Sequence, residues 1–333
     1  MENLITDVAG LRVGNAHDAL LMSGVTVLVF DEPAIASVAV LGGAPAGRDI
    51  GCLEPEAAVE RIDAIVLSGG SGYGLEAASG AQAWLRARGR GLPVGTTRVP
   101  IVPQAICFDL LNGGNKDWDR YPPYRELAFA ACEVARAGSF PLGTIGGGYG
   151  ASTVTYKGGL GSASAVTARG FAVGALAVVN ALGSPVIGEG PHFWAAPFEE
   201  GEEFGGLGMP AHITPAMRRQ RWKGGGMPAT TIACVATDAV LDKAEAKRLA
   251  LMAHCGLARA LRLAHAPADG DTVFAVATGR RPLGDARNDL TEIGATAADC
   301  LARSIARGVY EATNPGPGWL GPPAYRDRFP RTP

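Results

Sequence analysis

Apolar residues recur along this chain in short, β-branched blocks separated by glycine, proline and acidic turns, interleaved with stretches of helical spacing. The segment GVTVLVFDEPAIASVAVLGG, residues 24–43, reads as two such blocks with Asp31, Glu32 and Pro33 between them, which predicts a pair of strands joined at a turn. DAIVL at 63–67 predicts a buried strand, followed by the loop SGGSGYG and a helical pattern through GLEAASGAQAWLRARG. YRELAFAACEVARAG, 124–138, has helix-forming composition with apolar positions at helical spacing and a glycine stop. A second glycine-rich block fills 143–164, and FAVGALAVVN, 171–180, reads as another strand.

Residues 191–229 mix proline, glycine and charge without periodicity, and a connection of that length inside a compact domain points to function or disorder. Order returns at Thr230. TTIACVAT predicts a strand, Asp242 and Glu245 have the spacing of a capping box, and a helical stretch continues through Leu263. TVFAVATG, 272–279, predicts a further strand, and ATAADCLARSIARGVYEAT, 295–313, a further helix. The tail from Asn314 carries too much proline for regular structure. Strands and helices therefore alternate without an internal repeat, as in an α/β sheet covered by helices within one domain.

Composition narrows the partners. The hydrophobic fraction is 47%, charged residues make up 19% and the formal net charge is −2, so no field draws the chain to nucleic acid or an anionic membrane. A small or neutral partner is expected. The 47 glycines lie in clusters with no fixed register, which indicates tight turns and close backbone approaches rather than collagen. Six cysteines are scattered without a CxxC pair and read as reduced thiols, and the N-terminus lacks the pattern of a secretion signal, so a cytoplasmic location is expected.

Three places could carry chemistry. In GGGMPATTIACVATDAVL, 224–241, glycines and a proline run into Thr230. The stretch fits either a plain loop entering a sheet or a chain that cuts itself between Ala229 and Thr230, because an N-terminal threonine brings its own base as its α-amine. In ADGDTVFAVATG, Asp269 and Asp271 flank Gly270 at the mouth of a strand, which suits an Asp-Gly turn or a carboxylate pair aimed at one side. Asn180 ends its strand where an amide could donate to an oxyanion or form a turn. The glycine loops lack the phosphate-binding patterns, and the five histidines show no ligand spacing, so neither a nucleotide, another cofactor nor a metal is expected.

Taken in order, ITDVAGLRVGNAHD, GGAPAGRD, LSGGSGYGLEAASG, VPIVPQAICFDL, KGGLGSAS, TTIACVATDAVL and DGDTVFAVATG resemble the L-aminopeptidase/D-esterase family, which includes β-peptidyl aminopeptidases and nylon-oligomer (6-aminohexanoate oligomer) hydrolases. The resemblance implies an αββα sandwich akin to N-terminal nucleophile hydrolases. It implies a precursor that cleaves itself into residues 1–229 and 230–333, with Thr230 as nucleophile, Asp269 and Asp271 assisting it, and Asn180 near the oxyanion. Lys157 is assigned as the family's lysine, displaced because the stretch between GYGAS and KGGLGSAS is short, and Gly70, Ser71 and Tyr73 lie in the loop lining the cleft. Ala229 stands where the family often has Asn or Gly. Short peptides or aminoacyl amides would be the substrates, and a homo-oligomer, a tetramer of processed heterodimers, the assembly. Acyl transfer of the ornithine acetyltransferase type and an uncut binding protein are the competing readings.

Overall fold

A computed structural model describes residues 1–224 and 228–330, so Gly225, Gly226 and Met227 of the glycine approach, and the last three residues of the tail, lie outside the described residues. In chain order the strands are β1 (Leu11–Asp18), β2 (Ser23–Val40), β3 (Gly47–Arg48), β4 (Ile62–Ser68), β5 (Leu92–Val94), β6 (Thr97–Val99), β7 (Gln104–Ile106), β8 (Leu160–Val166), β9 (Ala172–Asn180), β10 (Thr230–Ala239) and β11 (Thr272–Arg281). The helices are α1 (Ser71–Gly74), α2 (Ala77–Ala87), α3 (Tyr124–Glu133), α4 (Lys243–Ala253), α5 (Cys255–Ala260), α6 (Ala286–Tyr310) and α7 (Tyr325–Arg328). Strand order is β3-β7-β4-β2-β11-β10-β9-β8, with β1 also on β2 and β5–β6 a separate hairpin.

The expected strand pair at 24–43 is instead one continuous strand. Val25–Val29 of β2 pairs with β4, Ile35–Val40 pairs with β11, and the register shifts between Val29 and Ala34. Asp31, Glu32 and Pro33 sit exposed at that shift. Proline cannot donate to a ladder, so it is tolerated where β2 leaves one partner for another rather than reversing the chain. β2 thereby joins two sheets.

Alternation along the strands then builds three apolar layers. Val173, Ala175, Ala177 and Val179 of β9, with Val235 and Val273, face a core shared with α4, α5 and α6. The opposite faces, Leu176, Val178, Ile232, Cys234, Phe274 and Val276, meet Leu28, Phe30, Ile65 and Leu67 between the sheets. Val25, Val27, Val29, Ala64 and Val66 pack on α2 and α3. The result is the αββα sandwich. The second glycine block serves this packing: a Cβ on Gly161 would lie 1.8 Å from the Ser304 carbonyl oxygen, so only glycine lets β8 approach α6 so closely.

Asp242 and Glu245 close a reciprocal capping box at the start of α4. The helix expected to reach Leu263 divides at His254 into α4 and α5, and α6 starts earlier than its apolar pattern suggested, because Asp285 caps it through the Asn288 N–H. The proline-rich tail is anchored by Tyr325, which is buried and donates to the Pro191 carbonyl at 2.6 Å. Among the described residues no helix is long and apolar enough to cross a membrane.

Candidate active site

Three adjacent strands gather Asn180, Ala229, Thr230, Asp269 and Asp271, while Lys157 and the Gly70, Ser71 and Tyr73 loop lie elsewhere. β9 runs antiparallel to β10, and β10 runs parallel to β11, so the end of β9 and the starts of β10 and β11 fall on one edge of the sandwich. Thr230 stands directly opposite Asn180, and Ala229 bridges to Asp269 in the turn that opens β11. These residues are buried.

The peptide bond between Ala229 and Thr230 is intact and its carbonyl is doubly held. Thr230 Oγ1 donates to the Ala229 oxygen at 2.5 Å, and the Gly270 N–H donates to the same oxygen at 2.9 Å. Gly270 fits there because it has no side chain: a Cβ would lie 2.7 Å from Thr230 Oγ1 and 2.9 Å from the Ala44 carbonyl oxygen. The GGAPAGRD segment packs behind this turn, with Ala44 N–H donating to the Asp269 carbonyl at 2.7 Å.

The carboxylates grip the backbone around Thr230 and not its hydroxyl. Asp271 Oδ1 accepts from Thr231 N–H at 2.9 Å, and Oδ2 accepts from His265 N–H at 2.8 Å while the His265 Nδ1 lies 2.9 Å from it. His265 holds this position at φ +60°, a left-handed conformation uncommon for a residue with a side chain. Asp269 accepts from the Gly270 N–H at 3.2 Å. Burial, then the neighbouring Asp271 carboxylate, push the Asp269 carboxyl well above the usual range and favour its protonated form.

Asn180 is engaged at both ends of its amide. Its Nδ2 donates to the Phe108 carbonyl at 2.9 Å, and its Oδ1 accepts from Ser152 N–H at 3.0 Å and Lys223 Nζ at 3.1 Å. Lys223 is a residue that sequence reasoning missed, because it lies in the aperiodic stretch before the glycines; burial lowers its ammonium to about 8. Gly270 and His265 were missed too, since a backbone N–H and a histidine outside any ligand spacing leave no signature. The neighbouring DGD pattern was the available signal for Gly270.

Lys157 sits one loop behind. Its buried Nζ donates to the carbonyls of Gly148 at 3.0 Å, Ala151 at 2.8 Å and Gly158 at 2.8 Å, which uses all three ammonium hydrogens. Burial lowers it to about 7. It makes no hydrogen bond to Thr230 or Asn180, and reaches them only through Ser152, the residue after Ala151. Gly70, at φ +87°, donates its N–H to Asp109 Oδ1 at 2.7 Å, and Ser71 donates its own to the Cys107 carbonyl at 3.0 Å. Tyr73 projects from this loop, exposed and edge-on to Trp118 with ring centroids 5.2 Å apart. Asp109, Ser152 and Lys223, with Leu320, Gly321 and Pro322 of the tail, line a cleft of about 300 Å³ whose wall holds the Asn180 partners Phe108, Ser152 and Lys223 but not Asn180, Thr230, Gly70, Ser71 or Tyr73. The tail is therefore a wall of the cleft.

Comparison with known proteins places the molecule among the hydrolases of peptide and amide bonds. The solved L-aminopeptidase D-Ala-esterase/amidase of Ochrobactrum anthropi, described as a variant of the Ntn hydrolase fold, superposes with a TM-score of 0.69 at 20% identity, covering 99% of this chain and 95% of its own. The chain belongs to peptidase family S58, whose model matches residues 3–316. An uncharacterized aminopeptidase of Mycobacterium tuberculosis is 40% identical over 349 aligned positions, spanning 98% of both chains. A 6-aminohexanoate-oligomer endohydrolase of a Kocuria strain is 28% identical over 319 positions, 91% of this chain and 84% of that protein.

Proposed function

We propose that this family S58 hydrolase matures by cutting its own chain between Ala229 and Thr230 and then uses the new N-terminal Thr230 on short peptides or aminoacyl amides. The observation that carries the reading is the Ala229 carbonyl, held by Thr230 Oγ1 at 2.5 Å and by the Gly270 N–H at 2.9 Å. In the first step Thr230 Oγ1 attacks the Ala229 carbonyl carbon, the C–N bond breaks and an ester forms on the hydroxyl. The departing nitrogen, which takes up the hydroxyl proton, becomes the Thr230 α-amine. Water then hydrolyses the ester, leaving Ala229 as a carboxylate. The Gly270 N–H holds the oxygen on which charge develops, as an oxyanion-hole donor does.

In the mature site the neutral α-amine takes the hydroxyl proton, and Oγ1 attacks the substrate carbonyl. The protonated amine then delivers its proton to the leaving nitrogen, and water releases the acyl group. Asp271 fixes the start of β10 through Thr231 and is itself held by His265; Asp269, favoured in its protonated form, is a proton donor beside it. A cleft of about 300 Å³ suits a short aminoacyl or oligo-amide chain rather than a folded protein. The names of the relatives, aminopeptidase and 6-aminohexanoate-oligomer endohydrolase, support the same substrate class. A homo-oligomer is part of this reading, and the exposed Leu20 and Leu207 offer apolar surface for it.

The test is the intact mass of the purified protein under denaturing conditions beside a Thr230→Ala control. Two pieces, 1–229 and 230–333, from the wild type and one piece from the control support the reading. A wild type that stays whole and still hydrolyses an aminoacyl amide overturns the N-terminal threonine.

A further inference from the structure

Lys223 is placed by two anchors. Its backbone N–H donates to the Leu182 carbonyl at 3.1 Å, and its Nζ lies 3.1 Å from Asn180 Oδ1 and 3.4 Å from the Asn180 carbonyl oxygen. Asn180 is the residue opposite Thr230. Directly opposed residues of an antiparallel pair have Cα atoms about 4.5–5.5 Å apart, so an ammonium on Asn180 stands beside the strand end that carries Thr230. The anchors lie upstream of the bond to be cut and do not depend on it.

The charges around this point come from several elements. The Asp271 carboxylate faces it from the turn before β11, with His265 behind it, while Asp269 beside it is favoured in its protonated form. Asp109 faces it from the segment after β7, and Lys157 lies behind Asn180 on the far side of Ser152. The Cys107 thiol nearby is kept neutral by burial. Carboxylates beside an amine hold it protonated, and a protonated α-amine cannot serve as a base. The Lys223 ammonium, where protonated, opposes them.

We propose that Lys223 is a positioning residue whose ammonium, held on Asn180, keeps the freed Thr230 α-amine in its neutral, proton-accepting form. This rests on the reading that Thr230 becomes the N-terminus. Lys223 does not touch the reacting atoms. It acts through the electrostatic field at the amine and through the orientation of the Asn180 amide.

The experiment compares the wild type with Lys223→Gln, which keeps a donor for Asn180 and removes the charge, and Lys223→Arg, which keeps the charge. Intact mass is read first, and a wild type that is never cut counts against the Thr230 reading and not against Lys223 alone. On cut enzymes, kcat/KM for an aminoacyl p-nitroanilide is then followed against pH. Its acidic limb reports the base that must be deprotonated, so loss of a neighbouring cation should move that limb up by about one pH unit in Lys223→Gln, while Lys223→Arg stays with the wild type. Coincident limbs for Gln and wild type, or an Arg variant that moves with Gln, overturn the proposal. So does a folded Lys223→Gln that stays uncut, which would put the cation in the cleavage step. The wild type supplies a measurement that needs no variant: the pH dependence of acylation of the Thr230 α-amine, read by mass. A midpoint below the usual range of about 7.7–8.0 is expected, and one at or above it refutes the role.

Discussion

Gly270→Ala isolates the carbonyl geometry on which self-cleavage depends. The glycine is not in the left-handed region, so alanine meets no backbone penalty and the effect arises from contact alone. The new Cβ would stand 2.7 Å from Thr230 Oγ1, 3.0 Å from Thr230 Cγ2 and 2.9 Å from the Ala44 carbonyl oxygen. Ordinary carbon contacts lie near about 3.5–4.0 Å, so Thr230 or the turn must move by roughly half an ångström or more. The Ala44 side is backbone and gives little, so the displacement falls on Thr230. Overpacking of this kind costs about 1–3 kcal/mol of stability. Misaligning one oxyanion donor costs about 10²–10³ in rate. The assay is a time course of intact mass on freshly purified protein with a thermal melt alongside, and Gly72→Ala, where a Cβ meets nothing within 4 Å, is the control. Cleavage slowed by about 10²-fold or more, with the control unchanged, is the expected result. A Gly270→Ala protein that matures at the wild-type rate refutes the claim that Gly270 holds the scissile carbonyl.

Two further outcomes follow from the same geometry. Asp269 has a folded pKa raised by burial and by Asp271, so between about pH 4 and that raised value the folded state binds more protons than the unfolded one, and its contribution to stability is lost as pH rises. Asp269→Asn should therefore gain in melting temperature relative to the wild type from pH 5 to pH 8, and a difference that is constant with pH contradicts the assignment. Gly161→Ala, whose Cβ would lie 1.8 Å from the Ser304 carbonyl oxygen, should lower stability by about 3 kcal/mol or more in denaturant titration; a loss below about 1 kcal/mol would show that β8 and α6 can separate cheaply.

Much of the framework is written locally. β4, β9, β10 and β11 were legible because strands buried on both faces must be apolar runs bounded by turn residues, and the capping box of α4 was legible because its two side chains lie three residues apart. Thr230, Asn180, Asp269 and Asp271 could be nominated for the same reason, as polar residues at the ends of such runs. The break predicted at Asp31–Pro33 became a bend in one strand, since whether a chain turns back or changes partners depends on where β4 and β11 stand and not on those three residues.

The sequence by itself determined the alternation of strands and helices, the apolar faces and a short set of residues able to do chemistry. Only the tertiary structure decided which of them meet. Asn180 opposite Thr230, the Gly270 N–H on the Ala229 carbonyl, His265 on Asp271 and Lys223 on Asn180 are contacts between chain segments joined through folding. A backbone donor has no residue type to recognise, and a lysine in irregular chain looks like any solvated charge until a buried acceptor receives it. Lys157 shows the converse: its place in a recognisable motif is local, but the three carbonyls that occupy its ammonium are set by how the loop folds around it.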